Sequence, residues 1–248
     1  MTSFWLKLAV GILYSGMVTA PASLPPGTVL PIMLSSTLNA KSDKPGQKIE
    51  GRLMQEVQLL SGTVIKKGSR VTGQVISVQR PARIILQFNE LRDDDQTIPL
   101  NVSLRALASS QSVFQAGLPV DASPWESSQG WVTKQVGGDY VFRGRGYVAS
   151  DEGKIGRWTG TGVWAKLSPG GDCPDSDING LEQSLWVFSA SACGAYGFDK
   201  DLTIASAGRT APLGQITLQS SKGLVVRGGS GWLLVVNAAP GSAGSGHP

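Results

Sequence analysis

The sequence predicts an all-β fold, mainly antiparallel, in the form of a partly open barrel or a sandwich with one short helix. Three observations support this prediction: apolar residues that alternate with a period of two, frequent glycine, and few charged residues. Glycine accounts for 32 of the 248 residues, and charged residues make up only 16% of the chain. A lightly charged, glycine-rich chain suits strands and tight turns better than helices. The region after residue 120 is a candidate second β subdomain.

The N-terminal part shows the clearest alternation. In the segment at residues 47–59 only Met54 and Gln55 break the pattern. In the segment at residues 69–79 the apolar positions change parity, which predicts a β-bulge. The polar stretch at residues 92–96 predicts a hairpin turn between the last two segments. The four predicted strands lie at residues 47–59, 69–79, 84–88 and 98–104.

A short helix is predicted at residues 103–116, where apolar side chains have near-helical spacing. Gly117 provides a stop signal and Pro119 follows it. Residues 121–130 are predicted to form a loop. The last residues, 238–248, are low in complexity, which predicts a disordered tail. Between loop and tail, glycine-punctuated strands are predicted at residues 140–148, 155–167, 185–188, 202–205, 216–219 and 232–236.

Residues 1–22 are predicted to be a secretory signal peptide. Lys7 gives the short n-region one positive charge, residues 8–19 form an apolar run, and Ala20-Pro21-Ala22 fits a small-x-small cleavage pattern. The run is shorter than the ~20 apolar residues that cross a bilayer as a helix. Cleavage after Ala22 predicts an extracytoplasmic protein, periplasmic or secreted, with no transmembrane span in the mature chain.

Cys173 and Cys193 are the two cysteines of the chain. An even number of cysteines in an oxidising compartment predicts one disulfide, with free thiols or an intermolecular bond as the alternatives. The predicted organisation is a signal peptide at residues 1–22, a barrel-like β domain at 23–120, a glycine-rich β region with one disulfide at 121–237, and the tail at 238–248.

Five segments marked by glycine, proline and aliphatic residues follow one another between residues 27 and 104: GTVLP at 27–31, PGQ at 45–47, IKKGSRVTG at 65–73, RIIL at 83–86 and IPL at 98–100. This order resembles the C-terminal β-barrel of the TrbI-type conjugation proteins, the envelope-spanning scaffold subunits of type IV secretion systems. The resemblance implies a β-barrel module with a structural role in the bacterial cell envelope. It also implies envelope proteins, or further copies of the chain, as partners.

The same segments have a plain structural meaning. Pro45-Gly46 is a turn dipeptide, and Gly68 and Gly73 flank a strand where a positive φ or a close backbone approach is needed. Members of the TrbI-type family carry a membrane helix and a long proline-rich stalk before the barrel. Here the predicted signal peptide directly adjoins the barrel-like segment.

The single histidine, His247, lies in the predicted tail. Ser-His-Asp, Cys-His and histidine-based zinc sites need a histidine held beside a nucleophile or a metal. The sequence therefore predicts no enzyme of these classes and no cofactor. A glycosidase needs only two facing carboxylates and is the least favoured function. Its candidate residues are Asp93, Asp94, Asp95, Asp121, Glu126, Asp151, Glu152, Asp199 and Asp201.

Asp175, Asp177 and Asn179 reproduce the first half of a calcium loop, D-x-D-x-N-G. The twelfth position of that loop, which is normally a bidentate Glu, is Trp186 here. An Asx-rich turn inside the disulfide loop is therefore the preferred interpretation, and no metal site is predicted.

Trp158 and Trp164 share strand parity, with Gly160 and Gly162 between them. They predict a flat, open surface on which a sugar can stack, unless both rings fill a core. A carbohydrate- or cell-wall-binding module is thus the alternative function. The favoured function is an exported, non-enzymatic structural or interaction protein of the bacterial cell envelope.

The net charge of +4 is spread along the chain without a basic stripe. The densest basic spot, at residues 143–146, is explained by an exposed strand edge. Nucleic acid is therefore not a predicted partner.

Overall fold

The computed structural model describes residues 23–80, 82–120 and 132–238. The predicted signal peptide, the predicted loop at residues 121–130 and residues 239–248 of the predicted tail lie outside these ranges. Within them, no helix is long and apolar enough to cross a membrane.

Nine strands precede the helix α1 (Ser110–Ala116). They are β1 (Val29–Leu34), β2 (Leu38–Asn39), β3 (Lys48–Leu53), β4 (Val57–Gln58), β5 (Val64–Ile65), β6 (Arg70–Gln79), β7 (Arg83–Asp93), β8 (Gln96–Pro99) and β9 (Val102–Ala108). Eleven further strands come after it: β10 (Val132–Lys134), β11 (Tyr140–Phe142), β12 (Tyr147–Ser150), β13 (Gly153–Thr159), β14 (Gly162–Lys166), β15 (Glu182–Ser184), β16 (Gly194–Tyr196), β17 (Thr203–Ala205), β18 (Gln215–Gln219), β19 (Val225–Val226) and β20 (Gly231–Val236).

Ten of the strands form a barrel-like sheet. Nine follow one hydrogen-bonded path, β16-β9-β20-β1-β3-β6-β7-β18-β17, and β8 pairs with β7. Only the pairing of β16 with β9 is parallel among these strands. The two end strands, β16 and β17, are close in the chain and contact each other. The predicted all-β, mainly antiparallel, partly open barrel with one short helix is confirmed.

The second large sheet has six strands, β10 to β15, paired in chain order and all antiparallel. Strands β16, β17, β18 and β20 come later in the chain but belong to the barrel-like sheet. The segments on either side of residue 120 therefore share one sheet.

Strands β1, β9 and β20 are buried on both sides. Trp232 and Leu234 of β20 point into the barrel, where the indole of Trp232 meets the ring of Phe88 edge to face at 5.7 Å. Leu233 and Val235 point outward into a second apolar cluster, which contains the inner residues of the six-stranded sheet. That sheet thus packs against the outside of the barrel.

The predicted helix at residues 103–116 is wrong over its first half, which forms β9. The helix begins only at Ser110, after Ser109 caps it by accepting a hydrogen bond from the Ser112 N–H. Every residue of β9 is buried. Because both faces of this strand are covered, its apolar residues do not alternate, and their spacing imitates that of a helix.

The predicted bulge and hairpin are confirmed. The register of β6 against β7 shifts at Gly73 and again after Val75, and β7 turns directly into β8. Gly68 has φ +94°, and a Cβ on Gly73 would lie 2.0 Å from the Gln87 carbonyl oxygen, so both glycines are required by the backbone.

The predicted strand at residues 185–188 is wrong, since β15 ends at Ser184. Trp186 has φ +49°, which an extended strand does not permit. Four other predicted strands are interrupted. Residues 54–56 separate β3 from β4, and residues 100–101 separate β8 from β9. A 3-10 turn, Arg143–Arg145, separates β11 from β12, and a tight turn separates β13 from β14.

Amide side chains join the barrel to the six-stranded sheet. Gln55, between β3 and β4, is fully buried. Its Nε2 donates to the Val163 carbonyl at 2.8 Å, and its Oε1 accepts from the N–H groups of Val163 at 3.1 Å and Trp186 at 2.9 Å. Gln183 Oε1 accepts from the Val29 N–H at 3.1 Å. The Gln55 amide therefore makes the hydrogen bonds to the backbone that a neighbouring strand would otherwise make.

The predicted disulfide between Cys173 and Cys193 is present. Beside it lies Arg105 of β9, whose side chain is fully buried. Arg209 donates to the carboxylate of Asp177 at 2.8 Å, so two guanidinium groups share one carboxylate. Arg105 donates to three acceptors: the carbonyl of Ala192 (3.1 Å), the carbonyl of Ser168 (2.7 Å) and the carboxylate of Asp177 (3.3 Å).

Candidate binding pocket

The two tryptophans predicted to share a surface lie on opposite sides of the six-stranded sheet. Trp158 pairs with Val163, and Trp164 pairs with Arg157. Residues that pair directly across two strands lie on the same face of the sheet, and neighbours along a strand lie on opposite faces. Each pair here joins an even-numbered to an odd-numbered residue, so Trp158 and Trp164, both even-numbered, face opposite ways. Trp164 is only 2% exposed, with the Arg157 guanidinium 5.0 Å from its ring centroid. The predicted flat surface does not form.

The three residues of the calcium-loop pattern have other roles. Asp175 and Asp177 lie in a 3-10 turn, and Asp177 points inward to two guanidinium groups. Asn179 donates to the Gly27 carbonyl at 3.1 Å, which ties the turn to the start of β1. Among the described residues, no cluster of acidic, histidine or cysteine side chains is suited to hold a metal ion.

Two of the acidic residues considered for glycosidase chemistry, Asp151 and Glu152, line a cleft of about 720 Å³. Asp139, which the sequence did not single out, lies in the same cleft and is 6% exposed. One of its carboxylate oxygens accepts from the Ala190 N–H at 2.8 Å. Burial raises the pKa of Asp139, and the charge of Asp151 acts in the same direction.

The other acidic candidates are accounted for in turns or lie elsewhere. Asp93 accepts from the Ser69 hydroxyl, and Asp94 pairs with Lys66. Hydrogen bonds from Ser221 and Ser220 lower the pKa of Asp201 to about 2. Asp95 and Asp199 are exposed, and Asp121 and Glu126 lie outside the described residues.

Replacing Asp139 with Asn is expected to raise the melting temperature at pH 7. Because the pKa of Asp139 is raised in the folded protein, its ionisation destabilises the fold. That cost is absent well below the ordinary Asp pKa of about 3.9, where the carboxyl is protonated in both states, and it grows as the pH rises from there until it is complete above the folded pKa. In thermal melts between pH 4 and pH 7, the melting temperature of Asp139→Asn should therefore exceed that of the wild type by a margin that grows with pH. A lower melting temperature for Asp139→Asn at pH 7 would show instead that the charge is stabilising.

A second concavity, of about 270 Å³, lies between α1 and the barrel-facing side of the six-stranded sheet. We call it the Arg143 pocket. Apolar side chains of α1, β11 and β14 form part of its lining. Its polar and aromatic side chains are Arg143, Trp158, Trp186, Gln135, Thr133, Thr161 and Lys67.

Strand pairing places two of these side chains on the lining. Thr133 pairs with Val141, and Trp158 pairs with Val163. The pairings followed strand by strand from β10 to β14 place these four residues on the same face of the sheet, the one that faces the barrel. Arg143 opens the 3-10 turn that follows β11 and ends at Gly146. The carbonyl of Gly146 accepts from the Trp158 N–H at 3.0 Å, and the Arg143 guanidinium lies 4.8 Å from the Trp158 ring centroid.

Arg143 is half-buried, and none of the described residues provides it with a counter-ion. In the described part of the chain it takes part in no salt bridge, and its Nε has no hydrogen-bond partner. Burial lowers the pKa of the guanidinium. None of the described residues lining the pocket is acidic, and Lys67 adds a second positive charge. The pocket therefore favours a negatively charged ligand.

Gln135 contributes a free hydrogen-bond acceptor. Its side chain is 5% exposed, and its Nε2 donates to the Phe188 carbonyl. Its Oε1 is buried and has no partner among the described residues. Such buried, unpaired polar atoms are uncommon in folded proteins and call for a partner such as a water or a ligand.

Trp186 adds a second indole in an unusual backbone conformation. Its φ of +49° lies in the left-handed region, which bulky residues rarely adopt. Such conformations cost about 1–3 kcal/mol and concentrate at functional sites. The hydrogen bond from the Trp186 N–H to Gln55 holds the residue in place, so a buried side chain of the barrel fixes one wall of the pocket.

Sequence reasoning selected Trp158 but missed Arg143 as a ligand-facing side chain, as well as Gln135 and Trp186. The segment around Arg143 stood out only as a basic spot. The break in alternation at Gln55 was visible in the sequence, but its partners across the chain were not. A comparison of the chain with protein-family models finds no match, and a comparison with curated proteins also finds none.

Proposed function

We propose that the protein is an exported, non-enzymatic interaction protein of the bacterial cell envelope whose Arg143 pocket binds a glycan. The observation that carries this proposal is the half-buried Arg143 guanidinium, which lies over the Trp158 ring and has no acidic partner among the described residues. A concave, largely apolar site with a few convergent polar groups is the usual form of a small-ligand site. The indole rings of Trp158 and Trp186 offer apolar surfaces to the C–H face of a sugar ring.

The predicted signal peptide and the disulfide support an extracytoplasmic location, because disulfides persist mainly in oxidising compartments. The resemblance to the TrbI-type barrel supports a place in the envelope. Its five segments fall on or next to strands of the barrel-like sheet: β1, β3, β6, β7 and β8. Envelope proteins or further copies of the chain are the partners that this resemblance suggests.

The proposal is tested with protein purified after export from a bacterial host. The protein is offered peptidoglycan beads and polysaccharide beads, and in parallel an envelope extract. We expect retention on a glycan and a weakening of about tenfold or more in Trp158→Ala, because the ring contact is lost. Tyr140→Ala serves as the control, since this residue lies on the opposite face of the same sheet.

Retention that is equal in wild type and Trp158→Ala would reject the pocket as the glycan site. Recovery of specific envelope proteins without retention on any glycan would reject the glycan part of the proposal. It would leave the scaffold role suggested by the barrel resemblance.

A further inference from the structure

We infer that the ligand of the Arg143 pocket is an acidic sugar: one pyranose ring that carries a carboxylate, as in a uronic acid. The inference rests on the proposed function, since it specifies the ligand of the same pocket. Three observations lead to it: a guanidinium and an amide oxygen that have no partner within residues 23–80, 82–120 and 132–238, and the size of the pocket with its two indoles.

The guanidinium determines the charge of the ligand. A half-buried cation is costly unless an anion pairs with it, and no described acidic residue lines this pocket. Arg143 Nε finds no hydrogen-bond partner in the described part of the chain. A carboxylate accepts two parallel N–H bonds from Nε and a terminal nitrogen of a guanidinium, which is the strongest geometry for this pair. A hydroxyl of a neutral sugar could accept from this donor, but it would leave the positive charge without a counter-ion.

The amide oxygen of Gln135 indicates a ligand that also donates. Because its Nε2 is already bonded to the Phe188 carbonyl, the free Oε1 can only accept. A fully ionised sulfate or a simple carboxylate has no donor to offer, whereas a sugar has several hydroxyl groups. The ligand therefore combines an anionic group with hydroxyl donors.

The dimensions of the pocket indicate a single ring. Its volume of about 270 Å³ is slightly below the ~300–1,000 Å³ typical of sites for drug-sized ligands. Trp158 and Trp186 both belong to its lining, so a sugar ring that enters lies close to two indoles. A longer glycan would place one acidic residue in the pocket and the rest outside it.

The test is isothermal titration calorimetry of the exported protein with two matched pairs of sugars: glucuronate against glucose, and galacturonate against galactose. We expect the acid of at least one pair to bind about tenfold or more tightly than its neutral partner, as a desolvated Arg–carboxylate pair provides. Raising the salt concentration from 50 mM to 500 mM should weaken binding of the acid but not of the neutral sugar.

Arg143→Gln should abolish the preference for the acid, because it removes the charge and keeps a shorter polar side chain. Arg145→Gln is the matched control, since Arg145 lies in the same 3-10 turn but is exposed and outside the pocket lining. Near-UV circular dichroism checks that both variants are folded.

Equal affinity for acid and neutral sugars in the wild type would overturn the inference and leave the proposed glycan binding intact, whatever the variants show. A preference for the acid that survives in Arg143→Gln would also overturn it. Failure of all four sugars to bind would contradict both the inference and the assignment of this pocket as a glycan site.

Discussion

Replacing Arg105 with Met is expected to lower the free energy of unfolding by about 3–5 kcal/mol, the range measured when one partner of a buried ion pair is removed. Methionine keeps much of the side-chain length but no donors. The carbonyls of Ser168 and Ala192 lose their charged donor, and Asp177 retains only Arg209. Because the site is fully buried, water does not replace these bonds without a rearrangement.

Urea denaturation followed by tryptophan fluorescence measures this loss. Arg209→Met is the matched control, because it removes the second guanidinium on Asp177 from a side chain that is 22% exposed. We expect a clearly smaller loss for Arg209→Met than for Arg105→Met. Equal losses would mean that the Ser168 and Ala192 contacts of Arg105 contribute little, and that the shared carboxylate alone accounts for the effect.

Replacing Gln55 with Leu is also expected to lower the free energy of unfolding strongly, by about 3–5 kcal/mol, because three hydrogen bonds to the backbone are lost at a buried position. Leucine is similar in size, so the change removes polarity rather than volume. The Val163 N–H and carbonyl and the Trp186 N–H lose their partner between the barrel and the six-stranded sheet. Trp186 also loses the contact that holds its strained backbone.

The second effect of Gln55→Leu should appear in the Arg143 pocket. Under conditions where the variant is still folded, we expect weaker glycan binding and altered tryptophan fluorescence, since Trp186 and Val163 line the pocket. Gln58→Leu, at an exposed position of β4, is the control and should change the free energy of unfolding by no more than about 0.5 kcal/mol. Unchanged binding in Gln55→Leu would mean that the pocket wall is held by other contacts.

Strands β3, β6 and β7 could be predicted because each of them has one face toward the barrel core and a second face that is more exposed. In β3 the buried residues are Ile49, Gly51 and Leu53, which alternate with Glu50 and Arg52. Period-two alternation records this difference directly. Gly68 and Gly73 were predictable for a different reason: at Gly68 the backbone has a positive φ, and at Gly73 a neighbouring strand leaves no room for a Cβ.

Strand β9 could not be predicted in the same way. It is covered by the barrel core on one side and by the six-stranded sheet on the other, so the contrast between its faces is absent. Packing of one sheet on another is a property of the whole chain, and no local pattern in the sequence reports it.

The candidate pocket was predictable only in part. Trp158 stands out in the sequence as a large aromatic residue on a strand. Arg143 and Trp186 reach the same pocket through a 3-10 turn and a left-handed residue, and neither has a periodic signal. The partner of Gln55 lies 108 residues away in the chain, beyond the reach of any local pattern.

The position of β20 has a consequence for the order in which the protein folds. This strand, the last that the structure describes, lies between β1 and β9, so that Val29 pairs with Val235. Pairing between such distant segments forms slowly. A chain exported as we propose would emerge from a translocation channel with its first strands still lacking their central neighbour. The barrel could then close only after residues 231–236 have been translocated. The chain would therefore stay unfolded during translocation and complete its fold outside the membrane.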